Sequence, residues 1–220
     1  ALLLGLGVTA FVLQRATAPA VQPREAGRES SVLGVPLMRQ LTAMMAAMGV
    51  IVAPIDVLSV ASARQQALPA GASMVLSAYA LGSCVAGLAL GVLKFQTPLA
   101  RLLAVAASVT AFTTLPLLWV GDLLTLSLGV LLAGLSFAPT MIIAMALVES
   151  TVPGRRLTEG LTWLVTGLGA GVAAGAALAG WIVDHHGVGA GFWTAVGAGA
   201  VVLLVAVYAA RGARPAPAAR

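Results

Sequence analysis

Charge is scarce in this chain: Asp, Glu, Lys and Arg together make up 9% of its 220 residues. A soluble domain of that size needs a charged surface, so a water-exposed globule is excluded. Aromatic residues are also few, at 5%, and alanine supplies much of the apolar bulk. The one cysteine, Cys84, lies inside an apolar stretch, which rules out an intrachain disulfide and leaves the redox compartment unread. Histidine occurs only as the adjacent pair His185 and His186, beside Asp184. Two neighbours lack the spacing of metal ligands on a helix and no second ligand cluster exists, so no metal and no other cofactor is expected. Ser83 is buried in an apolar stretch with no histidine at its depth, so no hydrolytic centre can be assembled and no enzyme is expected. A phosphate-binding glycine loop of the Walker type is missing too, which excludes ATP-driven work within this chain.

What fills the chain is apolar. Hydrophobic residues reach 60% and mean hydropathy is +1.03. Stretches of about 20 apolar residues, the length that crosses a bilayer core, recur between short polar breaks. The 25 glycines follow no collagen-like period and suit membrane helices that pack closely. Residues 1–14 are apolar but too short to cross, and without a basic leader or an initiator methionine they read as the end of a helix whose beginning is missing. Residues 15–35, with Pro19, Pro23, Arg24, Glu25, Gly27, Arg28 and Glu29, read as a mobile linker. Six spans follow at 36–62, 71–93, 98–119, 123–148, 158–183 and 190–209, forming one domain over 36–209 before a tail over 210–220. Pro36, Pro69-Ala70-Gly71, Pro98, Gly121-Asp122 and Pro153-Gly154 punctuate them, with Thr158 as a helix cap.

Charge then assigns the sides. Of the 12 Lys and Arg residues, Arg64 alone falls on one side. Arg15, Arg24, Arg28, Arg39, Lys94, Arg101, Arg155, Arg156, Arg211, Arg214 and Arg220 share the other. By the positive-inside rule the rich side, linker and tail included, is cytoplasmic, as in a multi-pass protein of the plasma membrane. The net charge of +5 is spread in ones and twos at span ends. Topology accounts for it, and no nucleic-acid partner is expected.

The spans repeat. Gly49 to Pro54 in the first and Gly134 to Pro139 in the fourth both read G-x-x-x-A-P, 85 residues apart. The same offset carries Gly82 onto Gly167, so that Gly82, Gly87 and Gly91 run nearly parallel to Gly167, Gly171 and Gly175. Three spans followed by three related ones enter the membrane from opposite sides. The expected fold is therefore an all-α transmembrane six-helix bundle of two inverted three-helix repeats. The glycine ladders are close-packing faces. Pro54 and Pro139 each remove a backbone hydrogen bond and kink their helices. With Gly49 and Gly134 they look like gating elements, although shaping the packing explains either proline alone equally well.

Asp56 is the sharpest single residue. It stands ~25 Å above Arg39 and ~12 Å below Arg64, in the outer half of the bilayer. A carboxylate there costs up to about 2.5–3.5 kcal/mol on insertion scales, and such residues serve a substrate, ion or proton pathway. The competing reading is an interfacial acid that hydrates or pairs with Arg64. Thr162, Trp163 and Thr166 line one face of the fifth span and are cavity candidates, since lipid has no use for them. Glu159, in the first turn of that span, fits dipole capping better than a cavity. Ser77, Tyr79, Ser83 and Cys84 give the second span a polar side, either lining a cavity or bonded back to the helix. Met44, Met45 and Met48 fit ordinary packing better than an adaptable binding face. Glu149, Arg155 and Arg156 read as a solvated loop cluster.

Thr158-Glu159-Gly160-Leu161-Thr162-Trp163, the ladder after it, and Gly180-Trp181-Ile182-Val183-Asp184 with Gly187 resemble helix 11 and its exit loop in the major facilitator superfamily. Tyr79-Ala80-Leu81-Gly82-Ser83 to Gly91 is similar to helix 8, and an acid in the outer part of helix 7 is matched by Asp56. The resemblance covers nearly the whole chain and is closest to the C-terminal half of drug-efflux-like members from actinobacteria. Residues 1–14 would end helix 6, residues 15–35 would be the central cytoplasmic loop, and the six spans would be helices 7 to 12. One departure stands out. Between the second and third spans, Gly87 to Gly91, Lys94 and Arg101 keep the glycines and positive charges of the family's signature loop but supply no Asp, which puts its charge-relay role in doubt here.

The resemblance implies alternating access, with the substrate between two halves of the protein and proton entry driving most efflux members. Helices 7 and 10 would line the cavity and bend near Pro54 and Pro139. Asp56 would be a proton or cation site, and Tyr79, Thr140, Thr162, Trp163 and Thr166 would face the cavity. The function expected is secondary active, proton-coupled efflux (an antiporter) of small or amphipathic molecules. Its partners would be the lipid bilayer, a small-molecule substrate, protons and a missing N-terminal half. An uptake permease of the same fold and a non-transporting membrane scaffold or sensor are the alternatives.

Overall fold

The computed structural model describes Thr9 and residues 31–68, 70–93 and 97–212. The rest of the stub and linker, Lys94, and the tail beyond Gly212 lie outside the described residues, as do the side chains of residues 210–212. Six helices run in succession: α1 (Pro36–Gln65), α2 (Gly71–Val92), α3 (Leu99–Thr114), α4 (Leu123–Thr151), α5 (Leu157–His186) and α6 (Val188–Gly212). All are long and apolar enough to cross a membrane, α3 together with a 3-10 turn over Leu115–Trp119. No strand occurs among the described residues.

Local chemistry sets the ends. Pro36 occupies the first position of α1, where its missing N–H costs nothing. α1 runs past residue 62 to Gln65 and closes with Leu68 N donating to Ala63 O at 3.0 Å and Ala67 N to Arg64 O at 3.2 Å. That closure puts Ala67 at φ +52, where glycine is the common choice, so no glycine in the sequence announces it. α3 stops at Thr114 because Pro116 has no N–H to give and its ring crowds the Phe112 carbonyl; the chain tightens to 3-10 instead. Asp122 accepts from Thr125 N at 2.7 Å while Thr125 Oγ1 accepts from Asp122 N at 3.2 Å, a reciprocal cap that starts α4. These bonds, led by the Thr125 amide, hold the exposed Asp122 carboxyl below the usual carboxylate range. Thr158, expected as a cap, instead lies inside α5, which follows a 3-10 turn over Gly154–Arg156. Only Gly187, at φ +84, separates α5 from α6.

Packing obeys an inverted symmetry. The most extensive helix pairs are α1 with α5 and α2 with α4, followed by α1 with α6, α3 with α6 and α3 with α4. Exchanging α1, α2, α3 for α4, α5, α6 turns α1/α5 into α4/α2 and α1/α6 into α4/α3, and leaves α3/α6 as itself. The fold is thus a six-helix bundle of two inverted three-helix repeats.

In lipid there is little hydrophobic drive between helices, so close backbone approach carries the association. A Cβ at Gly49 would fall on the Leu168 carbonyl and the Val172 amide of α5; one at Gly134 would fall on the Tyr79 carbonyl and crowd the Ser83 amide of α2. Gly171 likewise rests on Ala46, and Gly82 on Leu131. At the helix start, Gly71 meets Leu123 and Ala63, and Gly160 meets Met38 and Val148.

These reciprocal contacts correct one register. Ala46 and Leu131, like Gly49 and Gly134, are 85 residues apart, whereas Tyr79 and Leu168, like Gly82 and Gly171, are 89 apart. α2 therefore corresponds to α5 one helical turn later than a single offset places it, so Gly82 matches Gly171 rather than Gly167. Met38, Met44, Met45 and Met48 are buried in the core, which realises the packing reading of the methionines.

Candidate functional site

Asp56 leaves α1 two residues beyond Pro54 and borders a groove of 620 Å³ lined by Val57, Val60, Ala61, Arg64, Gln65, Val183 and Val188. The carboxylate is exposed, and among the described residues it forms no hydrogen bond or ion pair, even with Arg64 in the same groove. Tyr79 is half-buried, with its ring 5.9 Å from Phe137 of α4 at an interplanar angle of 55°. The two rings border a second groove, of 540 Å³, with Ala80, Ser83, Cys84, Gly87, Leu88 and Ala138. Each G-x-x-x-A-P segment therefore has a chemically distinct side chain close to its proline: Asp56 just after Pro54, and Phe137 just before Pro139.

The prolines lie inside continuous helices. Pro54 leaves the Val50 carbonyl without its helical donor. Gly175 of α5 passes against this stretch: a Cβ there would stand 2.8 Å from Val50 Cα and 3.2 Å from the freed oxygen. Pro139 frees Leu135, and α2 crosses there at Gly82, whose Cβ would come 3.2 Å from the Leu135 amide nitrogen. Both weakened turns are thus covered by a neighbouring backbone, the condition under which membrane helices tolerate proline.

The remaining candidates are not gathered with Asp56 and Tyr79. Thr140 is fully buried and faces α3; its hydroxyl donates to Ser136 O at 2.8 Å and lies 3.1 Å from Thr110 Oγ1. Ser136 and Thr113 extend this ladder, their hydroxyls 3.1 Å apart. On α5, Thr162 and Thr166 are exposed and Trp163 is half-buried against the core, with Thr162 donating back to Thr158 O at 2.8 Å. Gly87 and Gly91 lie in the last turns of α2; Gly87 meets Ala138 Cβ, and Gly91 faces open space.

Three features escape the sequence reading. Phe137 belongs to the repeated motif but signals nothing there until Tyr79 is placed beside it. The hydroxyl ladder has a trace in the helical spacing of Thr110, Thr113 and Thr114. The third feature is the reach of Glu159, which stands in the first turn of α5 but accepts hydrogen bonds from beyond that helix. Its Oε1 accepts from Val32 N at 3.0 Å and from Ser31 Oγ at 3.1 Å, while its Oε2 pairs with Arg156 at 2.9 Å. Glu159 thereby fastens the 3-10 turn Val32–Gly34, the end of the stretch read as linker, to the first turn of α5. At the opposite end of α5, Trp181 stacks on His185, with ring centroids 4.7 Å apart.

Residues 37–220 match the family model of the Major Facilitator Superfamily, a match that spans all six helices. No curated protein matches the chain.

Proposed function

We propose that this chain, which belongs to the Major Facilitator Superfamily, is the C-terminal half of a secondary active transporter that exports small or amphipathic molecules in exchange for protons. Membership makes it a multi-pass membrane transporter; the finer reading rests above all on Asp56. An unpaired carboxylate just after a proline inside a continuous helix, in a mostly apolar groove, is costly while charged and the groove closed. Binding a proton removes that cost, so protonation favours the closed groove and release favours the open one. A proton gradient can then drive the exchange between states.

In this reading Gly49 with Pro54 and Gly134 with Pro139 are the flexing levels of α1 and α4. Tyr79 and Phe137 supply an aromatic wall, and Thr162, Trp163 and Thr166 a polar stripe toward the substrate path. Thr140, tied to Thr110, keeps α4 on α3 while its neighbour Pro139 bends. The basic ends of α1, α3 and α5 face the cytoplasm, as in a plasma-membrane protein. An N-terminal half completes the cavity.

The test is transport by the whole protein reconstituted into vesicles with an imposed pH gradient. Asp56→Asn should lose most gradient-driven transport while still folding and inserting. Undiminished transport in that variant would remove Asp56 from the coupling.

A further inference from the structure

We infer that the groove between the start of α1 and the end of α6 binds an anionic phospholipid, its phosphate on Arg39 and one acyl chain along α6. Pro36, Arg39, Gln40 and Ala43 follow one another at helical spacing and form one wall; Leu204, Val205, Val207 and Tyr208 form the other. The groove encloses 690 Å³, within the range that takes a sizeable part of a small amphiphile. Most of its lining is hydrocarbon. The polar groups are the Arg39 guanidinium, the Gln40 amide and the Tyr208 hydroxyl.

Arg39 decides the chemistry of the occupant. It is exposed, forms no hydrogen bond or ion pair among the described residues, and no carboxylate lines the groove. A cation at the membrane boundary with no counter-charge among the described residues calls for an anion from outside them. From the first turn of α1 its long side chain can reach headgroup depth, and Tyr208 in the last turns of α6 suits the same interfacial level. The guanidinium fork fits phosphate oxygens, and Gln40 adds an amide donor one residue away. A free anion would answer Arg39 but leave Ala43, Leu204, Val205 and Val207 uncovered. A phospholipid answers both, and its anionic charge supplies the missing counter-charge where a zwitterionic headgroup brings its own. The inference needs only that the chain lies in a membrane, and stands apart from the transport reading.

The intact protein, purified in a neutral detergent, is titrated with phosphatidylglycerol, phosphatidylcholine or inorganic phosphate. Bound lipid is read by native mass spectrometry and stabilisation by thermal unfolding. Phosphatidylglycerol alone should bind and raise the melting temperature. Arg39→Gln should weaken it about fivefold, the factor given by ~1 kcal/mol per basic residue at an anionic surface. Ala43→Trp, which fills the groove and keeps the charge, should also reduce binding. Arg101→Gln, at the start of α3, should leave it unchanged. Equal binding of phosphatidylcholine, equal stabilisation by phosphate, or full affinity in both Arg39→Gln and Ala43→Trp would each overturn the site. If Arg39→Gln does not fold, Ala43→Trp decides alone.

Discussion

Along the seam between α1 and α5, glycines at successive turns press backbone on backbone: Gly49 from one side, and Gly167, Gly171 and Gly175 from the other. The equivalent seam between α2 and α4 has this contact only at Gly82 and Gly134. A little further along, Gly87 meets nothing closer than the Ala138 side chain at 3.3 Å, and the Tyr79 and Phe137 rings stand beside an open groove. One crossing has been built twice, closed over several turns in one copy and over one level in the other. Where small residues continue, the helices are welded; where they give way to aromatics, there is room for a ligand or for movement.

Alanine substitutions should break or sharpen that contrast. A Cβ at Gly171 would strike three backbone atoms of Ala46, none of which can rotate away. Gly171→Ala should therefore cost the most, above ~3 kcal/mol or outright failure to fold, since overpacking that displaces backbone exceeds the common range. Gly82→Ala should follow at about 1–3 kcal/mol, and Gly87→Ala should lie within ~0.5 kcal/mol of wild type. Thermal unfolding in one detergent gives the ranking, and a Gly87→Ala loss equal to that of Gly171→Ala would erase the distinction between the seams.

The helix starts sharpen the comparison further: Glu159 ties the turn before α1 to α5, whereas Asp122 caps only its own helix, α4. Glu159→Gln should loosen the turn before α1 and leave α4 untouched. Hydrogen exchange at the Val32 amide should speed up severalfold while exchange at Thr125 stays as it was; unchanged protection at Val32 would mean that the turn holds itself. Asp122 should give a modest effect. Hydrogen bonds from Thr125 hold its carboxyl below the ordinary value, so its contribution is complete above the unfolded pKa of about 3.9. That contribution disappears as pH falls through the lower folded value. The gap in melting temperature between wild type and Asp122→Ala should accordingly be small at pH 6 and close towards pH 3.

The helices themselves were readable because charge and proline bracket each span, and because charge in an apolar run stands out, as Asp56 does. Their faces were not. A soluble helix advertises its inner side by periodic apolar residues, but one in lipid is apolar all round, so Thr140 gives no sign that it turns to α3 instead of Tyr79. The register between α2 and α5 was hidden for a related reason: in a helix with glycine or alanine at almost every turn, a slip of one turn still aligns small residues with small residues. The reciprocal contacts separate the two alignments: Gly82 with Leu131 and Gly171 with Ala46, then Gly71 with Ala63 and Gly160 with Val148.

That one-turn difference has an owner. Gly160 is the counterpart of Gly71, the first residue of α2, so Leu157, Thr158 and Glu159 have no place in the first repeat's helix. At the matching corner Glu159 is replaced by Ala70, which has nothing to reach with. The segment it grips is repeated too: Val32 in its 3-10 turn corresponds to Leu117 in the 3-10 turn before α4, and both side chains are buried. Leu117 is kept in place by its own chain, arriving directly from α3. For Val32 the added turn supplies, through Glu159, the attachment that α3 gives its twin by a covalent bond.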